Sequence, residues 1–66
     1  MINDYQMPTV QLIGEDGNAF AVLGKVRNAL REAGASEEVV EDYITRATQG
    51  DYNHLLAVTM EYVNVE

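Results

Sequence analysis

The densest group of reactive side chains in the sequence is a run of acidic residues at helical spacing: Glu37, Glu38, Glu41 and Asp42. The pairs 37–41 and 38–42 lie one helical turn apart, so their carboxylates share a face and repel each other weakly. Charge runs of this kind are usually solvent-exposed helix faces, and the functional alternative is a surface that docks a basic partner. We name these residues as a candidate protein-binding surface, together with Tyr62, whose apolar ring and polar hydroxyl suit an interface.

A second candidate is the turn at residues 14–18, which precedes a predicted helix. Helix N-termini present free N–H groups to anions. This turn lacks the Lys and the Gly spacing of phosphate-binding motifs, and its acids would repel phosphate. It therefore predicts a tight connection with a side-chain cap from Asn18 or Asp16. Small-ligand or cation binding is the alternative for Glu15, Asp16 and Asn18.

Side chains suited to catalysis are scarce. The chain has no Cys, one His and one Ser, which excludes thiolate chemistry and a site built from several His residues. Ser36 is expected to cap a helix, and His54 has no nucleophile beside it in the sequence. We therefore predict that the protein is not an enzyme and has no catalytic residue, metal or cofactor.

The charge balance bears on partners. Eleven acidic and four basic residues give a formal net charge of -7. Nucleic acids and anionic membranes are poor partners for such a chain, because both are bound chiefly through Lys and Arg. The basic cluster Lys25, Arg27 and Arg31 is too small for phosphate binding, and we expect it to pair with acids of the next helix or of a partner copy.

With 66 residues, the chain has room for a single small domain, 1–66, of which 1–7 is predicted to be flexible. Residues 9–13 alternate like a short strand with Val10 and Leu12 inward. Three helices are predicted at 18–33, 36–48 and 51–62. The predicted N-cap residues of the three helices are Asn18 or Asp16, Ser36 and Asp51. The first two helices are predicted to end at Gly34 and Gly50.

Apolar spacing predicts what each helix buries. Phe20, Leu23, Val26 and Leu30 form the expected core stripe of the first helix. Tyr43 and Tyr52 are expected to be semi-buried, whereas Tyr5 and Tyr62 are assigned to an exposed contact patch. Gly24, in mid-helix, predicts a close approach by another group.

The predicted N-terminal strand needs a hydrogen-bonding partner. Residues 62–65 alternate again and are one candidate, which would complete an α+β domain within the chain. The alternative is pairing across a two-fold axis with a second copy. A homodimer also suits a domain this small, because its own core is thin.

Two resemblances bear on the whole chain. The segments that carry the first resemblance are Gly14–Phe20, with the pattern Gly-Glu-Asp-Gly-Asn-Ala-Phe, and residues 30–34 and 50–56. In these segments the chain resembles a group of small acidic phage and bacterial proteins without an assigned activity. This likeness spans residues 9–66 and implies a phage or bacterial context. The spacing of residues 26–63 also looks like a ubiquitin-associated-type three-helix bundle. Ala35 replaces the aromatic residue usual in that family's binding loop, so ubiquitin binding is not implied.

These features favour a non-enzymatic interaction protein, phage-encoded in the context the resemblance implies. It would bind a host or viral protein through its acidic and Tyr-bearing surface, and one version is an inhibitor that mimics nucleic acid. The alternative is a homo-oligomer that binds or sequesters a small molecule at its subunit interface, between the 14–18 loop and the cations of the first helix. No apolar run reaches ~18 residues, and residues 1–5 lack the features of a signal peptide. We therefore expect a cytoplasmic location.

Overall fold

The computed structural model describes residues 5–12 and 18–66. The elements in chain order are β1 (Thr9–Val10), α1 (Ala19–Glu32), α2 (Glu37–Ala47), α3 (Tyr52–Tyr62) and β2 (Asn64–Val65). This confirms the predicted small α+β fold, and each predicted helix end lies within one residue of the observed end. Both strands are shorter than predicted. The predictions for residues 1–4 and 13–17 lie outside the described residues.

Each helix begins at a side-chain cap. The Asn18 side-chain oxygen accepts a hydrogen bond from Phe20 N at 2.9 Å. Ser36 and Asp51 cap α2 and α3 in the same way, accepting from N–H groups three residues further on. These bonds satisfy donors that a helix N-terminus leaves without an intrahelical partner. Gly34, with φ at +92°, follows the end of α1 and takes the left-handed conformation that favours glycine.

The two short strands pair with each other. β1 and β2 are parallel, with Thr9 opposite Asn64 and Val10 opposite Val65. The ladder extends past both strands, since Leu12 N donates to Glu66 O at 3.0 Å. Parallel strands need a long crossover, which the three helices provide. The N-terminal strand therefore finds its partner within the chain, and its pairing does not require a second copy.

The core lies between the helices and the inner side of this sheet. Its fully buried side chains include Val26, Leu30 and Tyr43. The Tyr43 hydroxyl lies 2.8 Å from the hydroxyl of buried Thr59, which itself donates to Leu55 O. Tyr43 is therefore the donor to Thr59. Both buried hydroxyl groups thus donate a hydrogen bond to an acceptor. Burial of Val10 at 4% exposure confirms its predicted inward orientation.

Some predictions about burial are wrong. Phe20 is 83% exposed, and Val22 takes its place in the core stripe of α1. Tyr62 is buried at 7% exposure rather than lying in an exposed patch, whereas Tyr52 is exposed rather than semi-buried. No described residue lies within 4 Å of a Cβ placed on Gly24, so the predicted close approach is not found among residues 5–12 and 18–66. Among the described residues, no helix combines the length and apolar character needed to cross a membrane.

Candidate functional site: an acidic groove between α2 and α3

An open groove of about 740 Å³ lies between α2 and the C-terminal end of α3, with Tyr5 at its edge. We call it the acidic groove. Its charged lining residues are Glu38, Glu41, Asp42, Arg46 and Glu61. Four carboxylates thus surround one guanidinium, so the groove carries negative charge at neutral pH. Three of the acids lie on α2 because residues three and four apart share a helix face.

Tyr62 joins the groove to the core. Its ring packs edge-on against Tyr43, with the ring centroids 5.2 Å apart. Its hydroxyl donates to Asp42 Oδ2 at 2.5 Å and accepts from Arg46 Nη1 at 3.2 Å. The Tyr5 hydroxyl donates to the backbone oxygen of Tyr62 at 2.9 Å, which ties the segment before β1 to the end of α3. These bonds hold one wall of the groove against the other.

Arg46 spans the groove from α2 to α3. Its Nη2 lies 2.8 Å from Glu61 Oε1, and its guanidinium carbon lies 5.7 Å from the centroid of the Tyr62 ring. Hydrogen bonds to Tyr62 and Glu61 raise the pKa of Arg46. The groove therefore already holds one guanidinium by carboxylate pairing and contact with an aromatic ring, which is how proteins often bind Arg.

The groove hydroxyls remain protonated at neutral pH. Burial, followed by the hydrogen bond to Asp42, raises the pKa of Tyr62. Burial also raises the pKa of Tyr5. Both groups consequently act as hydrogen-bond donors, and the negative charge of the groove comes from its carboxylates alone.

The structure brings together most of the predicted protein-binding residues. Glu38, Glu41, Asp42 and Tyr62 all line the acidic groove, with Tyr62 in its wall rather than on an exposed patch. Glu37 faces elsewhere: its two carboxylate oxygens accept from Arg31 Nε and Nη2 at 3.1 and 3.0 Å. The predicted pairing of Arg31 with an acid of the second helix is therefore confirmed.

The predicted ligand loop is described only at its last residue. Asn18 is occupied as the cap of α1. Glu15 and Asp16 lie outside the described residues. The cations of the first helix, Lys25, Arg27 and Arg31, do not line the acidic groove. They also do not line a second, smaller groove between α1 and the start of α3.

Sequence reasoning missed Arg46 and Glu61. Arg46 stands four residues after Asp42 on α2, the spacing of a helical ion pair, so its place on the acidic face could have been inferred. Glu61 belongs to another helix, and only the packing of α3 against α2 brings it to the groove.

The described residues offer few catalytic arrangements. His54 is exposed, and its Nε2 lies 2.9 Å from the backbone oxygen of Arg46, at the end of α2. Residues 5–12 and 18–66 contain no group of three or more His, Asp or Glu side chains placed to hold a metal ion. The carboxylates of the acidic groove are thus arranged around a cleft and not around a common centre.

No protein-family model matches this chain, and no curated protein or solved structure matches it either. The part of the chain that the structure describes is a small α+β domain, with three capped helices and an acidic groove.

Proposed function

We propose that the protein is a non-enzymatic interaction protein that binds a basic segment of another protein in the acidic groove. One observation carries the proposal: Glu38, Glu41, Asp42 and Glu61 line a single groove whose one described cation is Arg46. Such an arrangement favours a partner that presents Lys or Arg, since complementary charge speeds association and disfavours other partners. A host or viral protein fits the phage or bacterial context implied by the sequence resemblance.

Tyr5 and Tyr62 extend the proposal beyond charge. Both contribute to the lining of the groove and both donate hydrogen bonds that fix its walls. Tyr is common at protein interfaces because it supplies contact area with little loss of conformational entropy. A partner segment with Arg would find carboxylates and the half-buried ring of Tyr5 here, whereas the Tyr62 ring is buried and already contacts Arg46.

The nucleic-acid-mimic version of the proposal has less support. Such a mimic needs acids in two rows, and here three of the four groove carboxylates stand on α2 and only Glu61 stands on α3. We therefore name the partner by its chemistry, as a Lys- or Arg-bearing protein segment.

Charge removal in the groove tests the proposal with a synthetic Arg-rich peptide as the probe. The double variant Glu38→Gln/Glu41→Gln keeps the shape of both side chains and removes two groove charges. We expect it to weaken peptide binding by about tenfold or more, as measured by isothermal calorimetry at low salt.

Glu32→Gln/Glu37→Gln is the charge-matched control, because it also removes two carboxylates, neither residue lines the groove, and Glu37 pairs with Arg31 outside it. Its effect on the affinity should be less than about twofold, since the Arg31 pair is exposed and screened by solvent. Equal losses in the two variants would show that the peptide senses overall charge and not the groove, and would overturn the proposal.

A further inference from the structure

A second groove, of about 220 Å³, lies between the first half of α1 and the start of α3. It includes Leu23, Ala47, Tyr52 and Leu55, and Phe20 stands at its rim. Phe20 is 83% exposed, the largest exposed fraction among the large apolar side chains of the described residues. We call this surface the apolar face.

The apolar face carries little charge. Asp51 is the charged residue among the described residues that line it, and its carboxylate accepts a hydrogen bond from His54 N. The helix that carries Phe20 contains Lys25, Arg27 and Arg31 against Glu32 alone, so α1 is net positive in a chain of net charge -7. Two copies of this acidic chain would repel each other least if they met on this side.

The same face supplies both a projecting ring and an apolar recess. A two-fold contact requires this, because each copy must offer what the other accepts. We propose that the apolar face is the contact between two copies of the chain, with Phe20 of each copy inserted in the other copy's groove. The acidic grooves are lined by different residues and would stay open in the dimer.

The expected dimer is weak. Full burial of an aromatic side chain removes roughly 150–250 Å² from solvent. Because Phe20 is 83% exposed and Tyr52 is 36% exposed, two copies of each would bury roughly 350–600 Å² between them. This is below the size of a standard stable interface and within the range of transient contacts. We therefore expect the monomer at low micromolar concentration and the dimer as the concentration approaches millimolar.

Sedimentation equilibrium tests the proposal over that range of concentration. The wild-type mass should rise from 7.3 kDa toward twice that value. Phe20→Ser should stay at the monomer mass throughout, whereas Met60→Ser should behave as wild type. Met60 is the matched control because it is an exposed apolar residue of a helix, at 60% exposure, and lines neither groove.

Salt provides an independent arm. Screening should strengthen a contact between two like-charged chains that meet on apolar surfaces, so the dimer fraction should rise with added NaCl. A wild-type chain that stays monomeric at millimolar concentration would overturn the proposal. A dimer that persists in Phe20→Ser, or that salt dissociates, would overturn it as well.

Discussion

Tyr62 has two roles at the scale of a single residue. Its ring packs against Tyr43 in the core, and its hydroxyl lies between Asp42 and Arg46 at the wall of the acidic groove. Because Tyr combines an apolar ring with a polar tip, one side chain can serve both environments. The groove is therefore built on the core rather than attached to a loop.

Tyr62→Phe removes the hydroxyl and keeps the ring. We expect the free energy of unfolding to fall by about 1 kcal/mol, since two hydrogen bonds to charged groups are lost and both partners, Asp42 and Arg46, reach solvent. Urea denaturation measures the change. Tyr52→Phe is the control, because no described residue bonds the Tyr52 hydroxyl; its effect should stay within about 0.5 kcal/mol. Equal effects in the two variants would mean that the Tyr62 hydroxyl adds nothing to stability.

At the scale of elements, helix caps and glycines in the sequence predict where the helices begin and end. Asn18, Ser36 and Asp51 could be identified as caps because their short polar side chains reach the free N–H groups of the first turn. Capping of this kind does not depend on distant contacts. The predicted tail strand is confirmed over residues 64–65, but it forms by pairing with β1 at the other end of the chain.

The edge of each apolar stripe cannot be decided from the sequence alone. Nine apolar residues of α1 and its C-cap surround much of the helix, so Phe20 and Val22 are equally plausible core residues. Successive residues are rotated by about 100°, which puts Phe20 about 120° and Val22 about 40° from Val26. Only the packing of α2 and α3 selects the Val22 side. The same packing of α3 against α2 decides the positions of Glu61 and Tyr62, and these two residues form the second wall of the acidic groove.

Two glycines, one in α1 and one just after it, test this account of the helix and its end. A Cβ added to Gly24 would meet no atom of the described residues within 4 Å, whereas Gly34 has a positive φ. Gly24→Ala should therefore stabilise the protein by up to about 1 kcal/mol through helix propensity. Gly34→Ala should destabilise it by about 1 kcal/mol, because a side chain strains the left-handed conformation.

Thermal unfolding resolves both glycine changes, since 1 kcal/mol shifts the Tm of a domain this size by roughly 4–8 °C. The two shifts should have opposite signs. A Tm lowered by Gly24→Ala would show that another group approaches that position after all.

At the scale of the whole molecule, three tyrosines link stability to alkaline pH. Burial raises the pKa of Tyr5, Tyr43 and Tyr62. The folded state therefore keeps these protons at pH values where the unfolded chain, with Tyr near its ordinary pKa of about 10, loses them. Stability should be intact below about pH 10 and fall as the pH rises through the higher pKa values of the folded state.

Urea unfolding at a series of alkaline pH values measures this loss. Tyr62→Phe should show a smaller decline than wild type, because one of the three groups is gone. A decline equal to that of wild type would remove Tyr62 from the explanation.

Among the described residues, charges of opposite sign lie on different parts of the surface. Glu38, Glu41 and Asp42 of α2 lie at the acidic groove with Glu61, and the cations of α1 lie on the helix that carries Phe20. The chain has a net charge of -7, and the side with the acidic groove is the side suited to a basic partner. The strand pairing within the chain leaves both grooves available.

The central claim is that the acidic groove is where a basic partner binds. Amide chemical-shift mapping during titration with an Arg-rich peptide tests it most directly, because each residue reports separately. The account predicts the largest shifts at residues 38–46 and 61–62, with small shifts along α1. Shifts centred on α1, or spread evenly over all the acidic residues, would contradict it.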